Sequence, residues 1–280
     1  MSQQWIRKYL LIIGDVSAPI FTTETLQITF NIKKGLSSVP NQAKINVFNL
    51  SKDTRDRIRE DLKPIILIAG YESFSDIIFQ GDIRSVGTPQ GIPDIGTEIQ
   101  AGDGDRGCRF GSISYTVEGG RSVKDAITQL ANSMPGVKPG ILKGLDGKTI
   151  SSRGVSVTGD SKTLLDSYAR QYGFTWSIQD GILETVAAMP EQTGSTVDDA
   201  GPNAFVISPK TGMIDQPEVK DEGKVTVKFL LNPRVKPGRV VNIESLRVPD
   251  INGFYRVNEV EFIGDYSGQD WYTSVTGVKL

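Results

Sequence analysis

No histidine occurs anywhere in the 280 residues, and Cys108 is the only cysteine. A Ser-His-Asp or Cys-His nucleophile system therefore cannot be built. Histidine-based metal sites and histidine pH switches are also excluded. One thiol makes neither an intrachain disulfide nor a thiolate zinc cluster, and Cys108 reads as a small buried hydrophobe. Gly147-Lys148-Thr149 has the ending of a phosphate-binding loop. The position of that loop's first glycine holds Leu142, however, and the strand-to-helix setting is missing. Asp103 and Asp105 flank Gly104, and Asp198-Asp199 form a second acidic pair. Two carboxylates fall short of the roughly six to eight oxygens calcium takes, so both pairs read as turn residues. Glycoside hydrolysis needs only two carboxylates. Glu118, Glu184 and Glu261 are candidates, but no spacing among the 33 acidic residues singles out a pair. Phe254, Tyr255, Trp271 and Tyr272 could form a sugar-stacking platform; their strand setting favours core or interface packing. The chain reads as a non-enzyme without catalytic, cofactor or metal residues.

Composition points the same way. Thirty-one basic residues against 33 acidic ones give a net charge of −2, which argues against a generally basic nucleic-acid binder. The 30 glycines and 14 prolines suit many turns between short strands. The apolar run Tyr9 to Ile13 is too short for a signal sequence, and no run is long enough to span a membrane, so synthesis and folding in a cytoplasm are expected.

Most of the elements that would position these residues are strands. Leu26, Ile28, Phe30 and Ile32 alternate with polar neighbours, as a half-buried strand requires. Ser51 caps a predicted helix over Lys52 to Leu62, which Pro64 ends. A Gly-Asp-rich stretch from Gly102 to Gly107 marks a boundary. Beyond it, Val123, Ala126, Ile127, Leu130, Ala131 and Met134 share one helical face, with Ser122 and Asp125 as its capping pair. A second helix runs from Ser161 to Tyr172 and stops at Gly173. Asp180-Gly181 between Phe174 to Ile178 and Ile182 to Val186 is a two-residue hairpin signal. Glu191 to Asn203 reads as a linker, and Ser208 to Glu222 as a long excursion of the functional kind. The expected division is a first β-barrel domain over 1–108, a middle α+β domain over 109–203 and a second, similar β-barrel domain over 204–280.

The two ends look alike. Lys44 to Leu50, Ile65 to Ala69, Phe79 to Val86 and Thr97 to Ala101 recur in order as Lys224 to Asn232, Val240 to Glu244 and the hairpin from Phe254 to Val278. In that hairpin Phe254 is in step with Arg256, Asn258 and Phe262. Gly264 to Gly268 forms its tip, and Trp271 starts the returning strand.

Several of these segments resemble a known family. Leu26 to Ile32, Ala43 to Ser51, Ile68-Ala69-Gly70-Tyr71 and Ile78 to Ile83 are similar to the first domain of the baseplate hub protein of contractile-tailed bacteriophages. Leu230-Leu231-Asn232-Pro233, Pro237-Gly238 and Gly264 to Trp271 are similar to its last domain. The resemblance implies a homotrimer whose six similar barrels form a pseudo-sixfold ring. That ring would join a hexameric tail tube, or a tube-initiator protein, to a trimeric spike. It also implies wedge proteins as neighbours, a place in the virion's tail baseplate, and a lumen passed by the tape-measure protein and by DNA without specific binding. Expected ring contacts are the two hairpins, with Phe79, Asp82, Phe254, Tyr255, Trp271 and Tyr272 as contact residues. The middle domain and the Ser208 to Glu222 excursion are further partner surfaces. A subunit of a related injection machine fits the same features. A tail-tip carbohydrate-binding or glycan-cleaving module is the rival reading.

Overall fold

A computed structural model describes residues 6–59, 63–88, 95–150, 153–188, 204–220 and 223–280. The first stretch comprises strands β1 (Arg7–Asp15), β2 (Ala18–Thr23), β3 (Ile28–Gly35) and β4 (Gln42–Phe48), helix α1 (Lys52–Ile58), and strands β5 (Pro64–Tyr71), β6 (Phe74–Gly87) and β7 (Gly96–Gly102). Next come helix α2 (Asp105–Phe110), β8 (Ser112–Val117), α3 (Val123–Ser133), β9 (Lys138–Leu142), β10 (Val155–Asp160), α4 (Ser161–Tyr172), β11 (Phe174–Gln179) and β12 (Ile182–Ala187). The last stretch carries β13 (Phe205–Ile207), β14 (Glu218–Val219), β15 (Lys224–Leu230), β16 (Val240–Ile243), β17 (Gly253–Asp265) and β18 (Trp271–Lys279). The protein is mainly β. It divides into one compact unit of Met1–Gly35, Asn41–Gly102 and Gly194–Leu280, and another of Leu36–Pro40 and Asp103–Thr193.

In the first unit, both ends of the chain share one sheet and one core. Strand pairing runs β14-β15-β18-β17-β3-β4-β7-β6-β5-β1-β2, with β16 beside β17 and β13 beside β16. Among the described residues no pairing closes either half into a barrel of its own; the halves meet where β17 lies antiparallel to β3. Alternation drives this arrangement. Ile28, Phe30 and Ile32 of β3 point inward with Ile45 and Val47 of β4 and Val225, Val227 and Phe229 of β15. Each buried branched or aromatic side chain removes apolar surface worth roughly 1.5–3 kcal/mol.

The internal repeat is present as strand pairing. β4 pairs β7, β7 pairs β6 and β6 pairs β5. In the same way β15 pairs β18, β18 pairs β17 and β17 pairs β16, all antiparallel. The correspondence extends to a single residue. The β6–β7 register skips Arg84, between Ile83 and Ser85. The β17–β18 register skips Asn258, between Val257 and Glu259. Beside each bulge the same backbone bond is made: Ile83 N–H donates to the Lys63 carbonyl and Val257 N–H to the Arg239 carbonyl, both at 2.9 Å. Outside the shared four strands the halves differ, since β1 is antiparallel to β5 while the short β13 is parallel to β16.

The Asn258 bulge also corrects the parity read from the sequence. Tyr255 and Val257 are buried before it, and Val260, Phe262 and Gly264 after it. Phe262 therefore faces the core rather than sharing the outward side with Phe254, because a bulge inserts one residue and exchanges the two faces. Gly264 is required here, since a Cβ would collide with the Phe30 ring.

Ser51 does cap α1, its hydroxyl accepting from Thr54 N–H at 3.1 Å. The helix ends at Ile58, short of the expected Leu62; residues 60–62 lie outside the described ones, as do the expected linker from Glu191 to Asn203 and Asp198-Asp199. The excursion from Ser208 is not free along its described length. Met213 bridges Phe229, Ile214 N–H donates to the Lys228 carbonyl, and Val219 pairs Val225, so the segment covers the edge of β15.

The second unit has its own core. Val123, Ala126, Ile127, Leu130, Ala131 and Met134 of the α3 face are all buried, with Leu165 of α4 and Phe174, Trp176 and Leu183 of the β11–β12 hairpin. Asp180 and Gly181 adopt φ of 56° and 77°, the left-handed pair a type I′ turn needs. Buried Asp103 accepts from both their N–H groups at 2.5 and 3.0 Å. Helix α2, capped by Gly104 at φ 71°, occupies the stretch read from sequence as a boundary.

Candidate functional site

The outward face of the shared sheet carries an ordered array of polar side chains. The pairing register lines up Lys228, Ser274, Glu261, Lys33 and Gln42 across β15, β18, β17, β3 and β4. The neighbouring row is Leu230, Tyr272, Ile263, Asn31, Lys44 and Gln100. The next holds Asp265, Thr29, Asn46 and Glu98. These residues are half-buried or exposed, while their alternate neighbours are in the core.

Across the face, cations and carboxylates are interleaved and joined. Lys33 Nζ lies 3.5 Å from Glu261, and Asn31 Nδ2 donates to the same carboxylate at 2.8 Å. Lys44 Nζ lies 2.9 Å from Glu98, which also accepts from Gln100 at 2.9 Å. Those two hydrogen bonds, that from Gln100 foremost, hold the Glu98 carboxyl below the usual range. Asn46 donates to Thr29 at 3.2 Å, Gln27 to Asp265 at 2.6 Å, and the Thr226 and Thr276 hydroxyls meet at 3.0 Å. Exposed ion pairs add little stability each. Their consequence is a face on which Lys33 and Lys44 each have a carboxylate beside them.

Of the six residues expected to touch partners, Phe79, Asp82, Tyr255 and Trp271 are buried, and Phe254 and Tyr272 are half-buried. Trp271 joins the ends of the chain. Its indole N–H donates to the Gly70 carbonyl at 3.0 Å, its ring meets Phe30 edge-on at 5.3 Å, and the Arg7 guanidinium sits 5.6 Å above it. Arg7 also donates to the carbonyls of Asp265, Gly268 and Gln269 at 2.8, 2.6 and 3.0 Å, fixing the hairpin tip. Neither Arg7 nor the bulges stood out in the sequence. Tyr272 carries the Lys228 ammonium 3.8 Å over its ring, on the polar face.

The residues weighed for chemistry are engaged structurally. Lys148 donates to the Tyr172 carbonyl at the end of α4, with Leu142 buried in β9. Glu118 binds Arg121 at 3.1 Å, and Glu184 lies on β12. Among the described residues no cluster of three cysteines or acids is placed to hold a metal ion, and no helix is long and apolar enough to cross a membrane. Burial pushes the Cys108 thiol up to about 11, leaving on the order of a hundredfold less thiolate near pH 8 than an ordinary thiol has. Maleimide at pH 8 should accordingly label the native protein at least tenfold more slowly than the urea-unfolded chain, with the native rate climbing toward pH 11. Equal rates at pH 8 would place the thiol in open solvent.

Solved structures share the fold. A 43 kDa tail protein of prophage MuSo2 from Shewanella oneidensis superposes with a TM-score of 0.61 at 10% identity, over 97% of this chain and 98% of its own. A tail protein from Neisseria meningitidis MC58 gives 0.62 at 12%, over 98% and 96%. The c3393 protein of E. coli, described as a type VI secretion system component similar to the T4 tail proteins gp27 and gp5, gives 0.62 at 11%, over 96% and 76%. No curated protein sequence matches. A family model, Baseplate hub gp41, matches residues 10–277. With almost its entire length accounted for by that model, the chain belongs to the baseplate hub gp41 family of phage tail proteins.

Proposed function

We propose that this protein is a mechanical joint in the tail baseplate of a virion. Three copies would form a ring in which each chain contributes two similar modules, 1–108 and 204–280, so that six modules meet a sixfold tail tube or tube initiator above and a threefold spike below. The observation carrying this reading is the repeat: two four-strand sets in one chain, with the same pairing order and a bulge at the same place. Such a repeat lets a threefold object offer sixfold contacts. In the ring each module would complete a barrel-like sheet. The hairpins β6–β7 and β17–β18 would make the ring contacts, with Phe254 touching a neighbour, Tyr272 on the polar face beside the passage, and Phe79, Asp82, Tyr255 and Trp271 holding the sheet from within. The middle segment, 109–203, would hold wedge or spike proteins. No catalytic step is required.

The charge-balanced face would line the lumen passed by DNA and the tape-measure protein. Sequence-independent affinity for DNA comes from cations that neutralise phosphates, and here Lys33 and Lys44 are already matched by Glu261 and Glu98. The test is to replace Glu98 and Glu261 together with lysine. Wild-type oligomer should show no measurable duplex binding at physiological salt. The double variant should bind at least tenfold more tightly at low salt, with a steep salt dependence, and its tails should assemble but deliver DNA poorly. Strong, salt-sensitive binding by the wild type, or no change in the variant, would rule out this face as the passage wall.

A further inference from the structure

The repeat leaves one junction unmatched, and that mismatch identifies where a second copy docks. Inside the chain, β3 lies between β4 and the far half of β17, pairing with Glu259 to Asp265 beyond the Asn258 bulge. In the second half, β14 stands where β3 stands in the first. Glu218 and Val219 oppose Thr226 and Val225 of β15, as Asn31 and Ile32 oppose Lys44 and Ala43 of β4. Yet among the described residues β14 has a strand on its β15 side alone. The complementary edge is also open. β5 accompanies β6 only as far as Asp82, and no described strand lies against Ser85–Gly87 on that side. The equivalent stretch of β17, starting at Glu259, is covered by β3.

We infer that β14 of one copy adds to the free end of β6 of the next, as β3 adds to β17 within each chain. Carrying the internal register across puts Val219 opposite Thr88 and Lys220 opposite Gly87, the counterparts of Ile32 opposite Phe262 and Lys33 opposite Glu261. The burial pattern asks for this partner. Ile32 and Phe262 are 0% and 1% exposed at the internal junction, whereas Val219, in the place of Ile32, is 64% exposed in the isolated chain. Two strand edges of opposite role on one molecule give a head-to-tail contact that propagates until it closes. The proposal rests on the ring reading and specifies its subunit boundary.

The test uses the full-length chain with Cys108→Ala, carrying Thr88→Cys and Val219→Cys, oxidised both as purified protein and in assembled tails. Both sites are exposed, so folding should be unaffected. The expected result is a ladder of disulfide-linked multimers ending at one closed species, which neither single cysteine gives. As a control, Asn31→Cys with Ile263→Cys should close within one chain. Val219→Asp should lose the oligomer by native mass spectrometry while the monomer keeps its secondary structure by circular dichroism. An oligomer that persists in Val219→Asp and gives no 88–219 link, while the control closes, overturns the junction and leaves the ring standing. A chain that is monomeric in solution and forms no ring in tails overturns both.

Discussion

Deleting Glu261 is expected to unfold the C-terminal half of the sheet, whereas deleting Asn258 should leave it folded. The bulge lets Tyr255 and Val257 point inward before it and Val260 and Phe262 after it. Asn258 is the residue that the β17–β18 register skips, so its removal leaves Val257 opposite Gly277 and Glu259 opposite Thr276, with every later side chain on its own face. Removing the paired Glu261 instead forces a one-residue slip. Either Phe262 turns out and Asp265 in, or Val260 turns out and Glu259 in, losing burial worth roughly 1.5–3 kcal/mol and turning a carboxylate into the core at a further cost. The total, about 5 kcal/mol or more, is comparable to the whole stability of a typical domain. Because the first half carries the same device at Arg84, deleting Arg84 should be similarly tolerated. Asn258→Ser keeps the residue count and should stay within about 1 kcal/mol of wild type. Urea unfolding followed by tryptophan fluorescence, with soluble yield, would measure this. Equal midpoints for the Glu261 and Asn258 deletions would show that the register does not depend on which residue is skipped.

Replacing Trp271 by alanine should cost about 3–5 kcal/mol, as removal of a large buried aromatic does. The indole fills space against Phe30 and carries the Arg7 guanidinium and a hydrogen bond to Gly70. It therefore fastens the last strand to the first half of the chain as well as filling volume. Trp271→Phe keeps most of the packing and loses the donor, so it should cost nearer 1–2 kcal/mol. Arg7→Ala should free the hairpin tip and raise proteolysis between Tyr266 and Asp270 while leaving the core intact. Equal stabilities for the alanine and phenylalanine variants would show that the indole's packing contributes nothing.

Local features were legible in the sequence because local chemistry determines them. Ser51, Gly173 and Asp180-Gly181 announced a cap, a stop and a hairpin turn, and the α3 face was readable from its spacing. The repeat was also visible, through the order of apolar segments rather than through identity. What stayed hidden depends on distant partners. β3 and β17 pair across more than two hundred residues, and nothing in either strand names the other. The bulges at Arg84 and Asn258 involve ordinary polar residues, so the parity of Phe262 came out reversed. β9 contains Pro139 and Gly140, residue types that strands disfavour, and is a strand through its parallel pairing with β12. The glycines around α2 masked a short helix. Among the interface candidates, aromatic character alone could not separate Phe254 and Tyr272, which keep an outward side, from Tyr255 and Trp271, which do not.

Electron cryomicroscopy of the assembled tail, viewed along its axis, would test the duplication of function most directly. Three chains should supply six alike sheet modules around a channel, with Lys33, Glu261, Lys44 and Glu98 facing the passage. A hub of six chains, or one in which that face points away from the channel, would contradict it.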